Sequence, residues 1–322
     1  MGDQSSGVLV TAQSRNAFVS FLRRLLKEKP LGTFGLIITL ILLLTGIFAD
    51  LIAPFGMNET FVGEPLSAPS GEFLFGTDAV GRDVFSRVVF GARVSVIVGL
   101  TGAGISTVIS VILGVASGFI GGKFDLLVQR LVDTAMIIPD LILLMVFSAI
   151  VGADMWSVSA FLGLVFGIPG SRIIRGAVIG IKENAYVSAA IAIGASTARV
   201  IARHTIPNVM PIIILLFTVR VPAIVMTEAS LSFLGFGIPP PTPSWGGMLS
   251  GTGRSYMFDA PWMALWPGVF LATVVYGINM FGDAVRDLLD PRLKGGVGRY
   301  GAQIKKKTAE EKETANSNVD AA

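Results

Sequence analysis

Cysteine is absent from the 322 residues, and histidine occurs once. The first absence excludes a disulfide framework, a thiolate metal site and a cysteine nucleophile. The second excludes the paired histidines of a zinc protease and any histidine relay. Charge is also scarce: Asp, Glu, Lys and Arg make up 15% of the chain, against about 25% in soluble domains. The deficit falls in blocks, which marks membrane spans rather than one oversized core. No G-x-x-x-x-G-K-[ST] phosphate loop occurs. The nearest string, Gly121-Gly122-Lys123-Phe124, lacks the leading glycine and the hydroxyl that would bind magnesium. The chain is not expected to hydrolyse ATP by itself, or to hold any cofactor. Its basic residues follow a membrane pattern, so nucleic acid is not an expected partner.

What remains is apolar. Hydrophobic residues make up 52% of the chain, and the mean hydropathy is +0.71. Six stretches are expected to cross the bilayer as helices: 31–52, 94–122, 126–151, 156–181, 211–236 and 261–281. The fold class is therefore all-α, a polytopic transmembrane bundle. The first stretch is uncharged from 31 to 49, too long for a cleaved signal, and reads as a retained anchor. In the second, Gly114, Gly118 and Gly122 lie four apart, a spacing that lets helices approach closely in lipid. The third holds Arg130, Asp133 and Asp140, with Pro139 as an expected kink. The fourth is the weakest, because Arg172 and Arg175 sit near its end. The fifth contains Arg220 and Glu228, eight residues apart.

Loop charge sets the orientation. With the N-terminus in the cytoplasm, twenty Lys and Arg residues fall on the inside and four outside, Arg82, Arg87, Arg93 and Arg254. Both termini are then cytoplasmic. The segment 17–29 alternates apolar and basic residues, as an interfacial helix or a solvated extension would. The tail from Asp290 is polar and is expected to be disordered.

The cytoplasmic segment 183–208 differs from the other loops. Its Ala-rich half, Ala185-Tyr186-Val187-Ser188-Ala189-Ala190, favours a helix. Gly194 stops or turns that helix, Ser196 or Thr197 caps a second one, and Pro207 is expected to end it. A mostly apolar helix pair outside lipid must bury itself, on a partner or on neighbouring loops.

Ala189, Ala190, Gly194 and Pro207, at this spacing, resemble the coupling motif of ABC importer permeases. Ser188 stands where that motif has an acidic residue. Three further stretches narrow the likeness: Gly76-Thr77-Asp78-Ala79-Val80-Gly81-Arg82-Asp83 running on to Arg87, Ser232-Phe233-Leu234-Gly235-Phe236-Gly237 with Ser244-Trp245-Gly246, and Gly282-Asp283-Ala284-Val285-Arg286-Asp287 with Asp290-Pro291-Arg292. As a set they resemble the C-type permease subunit of dipeptide, oligopeptide and nickel importers over about residues 18–295. The resemblance implies a type I importer permease fold in a bacterial cytoplasmic (inner) membrane. It implies four kinds of partner: a second homologous permease, two ATP-binding subunits that carry ATP and Mg, an external substrate-binding protein and lipid. It implies docking of an ATPase subunit through Ala189, Ala190, Gly194, His204 and Pro207.

Other residues stay open at this level. Asp140, Arg220 and Glu228 fit either a translocation path or internal structural pairs. The 76–87 segment fits a turn-rich external loop or a contact with the soluble binding protein. The proline run 239–243, with Trp245 and Trp262, is expected near the outer interface. The organisation expected is a cytoplasmic segment 1–30, a first span and external loop 31–92, a five-span core 93–290, and a cytoplasmic tail 291–322.

Overall fold

The computed structural model describes residues 17–289; the expectations for the tail 291–322 and for residues 1–16 lie outside them. The described chain is helical. It opens with α1 (Ala17–Glu28), α2 (Pro30–Ile47) and the one-turn α3 (Ala49–Ile52). After an outer loop come α4 (Val84–Ile120), α5 (Gly122–Ala135), α6 (Asp140–Val151) and α7 (Met155–Lys182). Two short helices, α8 (Ala185–Ala192) and α9 (Thr197–Val200), precede a π turn (Ile201–Thr205) and α10 (Ile206–Phe233). The chain closes with α11 (Trp245–Leu249), α12 (Gly251–Ser255) and α13 (Trp262–Leu289).

The packing register shows which helices run parallel. Gly102 of α4 lies against Ser159 of α7, Gly114 against Ser171 and Ile174, and Gly118 against Arg175 and Val178. The numbers rise together, so α4 and α7 run parallel. Two parallel spans joined in sequence require a return crossing between them. That crossing is α5 plus α6, bent by 82° at the break before Asp140. The two helices are too short alone, at 14 and 12 residues, to span ~30 Å of hydrocarbon. Gly99 of α4 faces Val221 and Val225 of α10, while Gly32 and Gly35 of α2 face Ala284 and Gly277 of α13. Both of those pairs are antiparallel. Lys29 Nζ donates to Asp287 Oδ2 at 2.5 Å, which puts both described ends on one face. The described helices thus give five candidate crossings, or six with the bent pair counted as one, and both described ends lie on one face.

Small residues make these contacts possible. With lipid outside, burial gives helices little reason to associate, so close backbone packing must do it. Gly102, Gly114, Gly118, Ser106 and Ser110 form the α4 face that α7 covers. Gly122 leaves the expected stripe: it starts α5 at φ +58° with no described atom near its Cβ position.

Several expected boundaries move, each for a local reason. α4 begins at Val84 rather than near 94. Its arginines find protein partners: Arg87 Nη1 donates to Met57 O, and Arg93 donates to Gly46 O and to Asp50. Arg172 and Arg175, which weakened the fourth span in sequence, pair with Asp133 and Asp125 of α5. The Arg175 pair is a fork of two 2.6 Å bonds. Trp245 is buried in the protein; it is 1% exposed and its Nε1 donates to Val88 O at 3.0 Å. Leu25 packs α1 onto Ala284 and Leu288 of α13, so α1 is an anchored helix rather than a solvated extension.

Candidate functional site

The segment between α7 and α10 is a built surface. Asn184 closes the end of α7, donating through Nδ2 to Gly180 O and Ile181 O at 3.1 Å. Lys182 Nζ ties that end to α4 at Phe119 O, 2.6 Å. α8 then stops on a left-handed Gly194, φ +83°. Gly194 N donates to Ile191 O (2.9 Å) and Ala195 N to Ala190 O (3.0 Å). These two bonds are a Schellman stop, which uses up the helix's last carbonyls. The Ala190-to-Gly194 spacing is the spacing of that stop. Ala190 must be small because it is buried beside Val187, Val200 and Val209.

Ser196 Oγ accepts from Arg199 N at 3.4 Å and starts α9. Pro207 does not end this helix, contrary to the reading from sequence. The chain stays helical from Thr197 to Phe233. Proline is tolerated in a first turn, and the wide π turn just before it, with Ile206 N donating to Ile201 O, makes room for the ring. Asn208 Nδ2 donates to His204 O at 2.6 Å and meets one carbonyl that the turn leaves over.

The buried faces of α8 and α9 are held, and the outer faces are free. Tyr186, Ala189, Ile191 and Arg199 are exposed, and Ile193 is 86% exposed. His204 is half-buried with its ring 6.2 Å from that of Tyr186. Arg203 and Pro207 are exposed beside it. Ala189, Gly194 and Pro207 are thus exposed and His204 half-buried, while Ala190 lies in the core.

The three charges expected in a path separate. Arg220 lies midway along α10, its guanidinium carbon 5.2 Å from the centre of the Phe166 ring. Its Nε is buried and makes no hydrogen bond among the described residues. Asp140, at the break between α5 and α6, is the carboxylate that acts on it electrostatically. Glu228 is not part of this group. It is 1% exposed and accepts from Ser232 Oγ at 2.7 Å, with Ser244 as a further partner.

Glu228 belongs to an outer framework that sequence reasoning left divided between loops. Ser232 Oγ also accepts from Ile238 N, folding the turn after α10 back. Gly246 then meets Ala229 so closely that a Cβ would stand 2.1 Å from Ala229 O. Asp83 Oδ2 caps α4 by accepting from Ser86 N (2.8 Å) and Ser86 Oγ (2.7 Å). Asp78 accepts from Val80 N, Arg82 N and Arg82 Nε. The 76–87 segment is therefore a ladder of local hydrogen bonds around buried carboxylates.

The family model described as the binding-protein-dependent transport system inner membrane component matches residues 110–295. The chain belongs to this family. A second model, the N-terminal transmembrane domain of oligopeptide transport permease C, matches residues 18–69. The Bacillus subtilis oligopeptide transport system permease protein OppC is 35% identical over 83% of this chain and 88% of its own length. The Alkalihalophilus pseudofirmus dipeptide transport system permease protein DppC is 36% identical over 84% and 88%. The solved MetNI methionine ABC transporter, inward-facing, shares the fold: TM-score 0.51 at 18% identity, over 63% of this chain and 96% of that one. A permease of this family is a transport component and not an enzyme. Here Asp78, Glu228, Trp245 and Gly246 make contacts that join the outer loops to the spans.

Proposed function

We propose that this permease forms half of the translocation path of an ATP-driven peptide importer. The 183–208 surface docks one ATP-hydrolysing subunit. The observation that carries the docking reading is the exposed ridge of Tyr186, Ala189 and Ile193 on helices whose other face is fixed in the core. An apolar side chain as exposed as Ile193, on a capped and anchored turn, is suited to a partner's groove. Arg199 and Arg203 add charge at its rim.

The peptide reading is supported by OppC and DppC, which are oligopeptide and dipeptide transport system permeases. The face with Lys29, the docking surface and Asp287 is the cytoplasmic one, on the charge asymmetry of the loops. The remaining subunits are a second homologous permease, a second ATPase and an external substrate-binding protein, in a bacterial cytoplasmic membrane. ATP and Mg sit in the ATPase subunits. Arg220 and Asp140 line the path at mid-depth, where a charge without a full set of partners is costly unless it meets water or substrate. Glu228 braces the outer end.

The test is uptake. Cells expressing the complete transporter are expected to accumulate labelled di- and oligopeptides, and the chain is expected to co-purify with an ATPase subunit. Uptake of nickel without peptides would overturn the substrate. Transport or conductance by the purified chain alone would overturn the division of labour.

A further inference from the structure

At the end of the bundle opposite Lys29 and Asp287, a cavity of about 450 Å³ opens among the outer loops, within the one chain. Ligand pockets commonly hold about 300–1,000 Å³. Arg82, Arg87, Asp78, Ser232, Ser244 and Thr242 are among its lining.

Its charge is unbalanced. Two guanidinium groups face one lining carboxylate, and that carboxylate is already occupied by Val80 N, Arg82 N and Arg82 Nε. Arg82 uses only Nε in that pair, at 2.6 Å, so its terminal nitrogens keep their donors. Arg87 is 7% exposed. Its Nη1 donates to Met57 O and Pro241 O, and its Nε stands 3.9 Å from Asp78 Oδ2, beyond hydrogen-bonding distance. A buried cation with spare donors in a cavity is a site for an anion that accepts through a planar fork. The volume exceeds what a bare anion needs, and hydroxyl and apolar walls suit a short amide chain attached to it.

We propose that this cavity is a subsite for the carboxylate end of the transported peptide, separate from the path at Arg220 and Asp140. The proposal rests on the peptide-importer reading. Arg82 and Arg87 receive the carboxylate, and the Pro239–Thr242 wall bounds the residues next to it.

The probe is labelled dialanine against its C-terminal amide, in equilibrium dialysis with the full chain in lipid nanodiscs. Dialanine is expected to bind at least about tenfold more tightly than the amide, the effect of losing a charge-assisted hydrogen bond. Arg82→Gln is expected to weaken dialanine and leave the amide unchanged. Thr242→Trp, which fills the cavity from a loop, is expected to remove both. The comparison of the two probes on the unaltered chain needs no variant, so a misfolded variant cannot hide the answer. Equal binding of dialanine and its amide overturns the proposal, as does unchanged binding in Thr242→Trp. No dialanine binding, in a transporter that still imports peptides, overturns the subsite and leaves the importer reading standing. No peptide import by the unaltered transporter overturns the reading on which it rests.

Discussion

Two glycines from the family motifs fail for different reasons when substituted. Gly194 has φ +83° and no described atom within 4 Å of a Cβ. Its alanine variant meets only backbone strain, about 1 kcal/mol for an L residue in the left-handed region. Gly246 has ordinary φ, but its Cβ would meet Ala229 O at 2.1 Å, and that oxygen is backbone. Gly246→Ala is expected to cost roughly 3 kcal/mol or more, because neither helix can yield. Membrane levels of the two variants check this: Gly194→Ala near normal, Gly246→Ala depleted. Gly194→Trp separates folding from function, since the space is open. It is expected to insert normally and abolish uptake by blocking the docked partner; normal uptake would remove the docking role. Asp154 gives a residue-scale pH test on the outer loop. The backbone N–H groups of Ser157 and Trp156 hold its carboxyl below the usual carboxylate range. A group lowered in the folded state stabilises above its unfolded pKa, about 4, and that stabilisation is lost as pH falls through the folded value. The difference in melting temperature between the wild type and Asp154→Ala is thus expected to be constant from pH 8 to 5 and to shrink below about pH 4. Thermal unfolding in detergent across that range measures it.

At the scale of elements, hydropathy located every long span, because an uncharged run of about 20 residues fits little besides a bilayer crossing. It failed where a charge is present but has a tertiary partner. Arg87 and Arg93 delayed the expected start of α4, and only tertiary partners such as Met57 O, Gly46 O and Asp50 reveal why they are tolerated. It also hid the sharpness of the bend in the third crossing, since Pro139 signals a kink but not 82°. The coupling segment was legible in outline from Gly194 and Ser196, whose local chemistry sets a stop and a cap. The π turn was not legible, because no residue type demands an i→i+5 bond; Pro207 makes one useful but also fits a helix end. In the proposed docking geometry that turn sets the angle of α8 and α9 around α10. Deleting Ala202 should convert it towards an α turn and rotate α8 and α9 by about 100° relative to the span. That rotation also draws Val187 and Val200 out of their buried cluster, so the expected result is a chain that inserts, melts at a lower temperature and no longer retains an ATPase subunit on purification. Retention of that subunit would show that the turn does not set the docking geometry.

Across the whole molecule, one helical rod joins the sites. Residues Thr197–Phe233 form a single helical run of 37 residues, roughly 55 Å at 1.5 Å per residue. The docking surface sits at its start, Arg220 midway, and Glu228 with the outer framework at its end. In the proposed cycle a push on α8 and α9 would travel to mid-depth and the outer loops along this backbone, while α4 and α7 pack as a close parallel pair beside it. This coupling works only if the rod's two ends lie in different compartments, the docking end in the cytoplasm. The missing cysteines turn that requirement into a direct measurement, since any cysteine introduced is the only one in the chain. Ile193, 86% exposed, marks the docking end, and Phe258, 91% exposed, marks the opposite end, just before α13. In intact cells, a membrane-impermeant maleimide given access to the outer face of the cytoplasmic membrane is expected to label Phe258→Cys and to spare Ile193→Cys. Permeabilising that membrane should expose Ile193→Cys, and adding the ATPase subunit should shield it again. The reverse labelling pattern would invert the topology and place the apolar ridge where no ATPase can reach it.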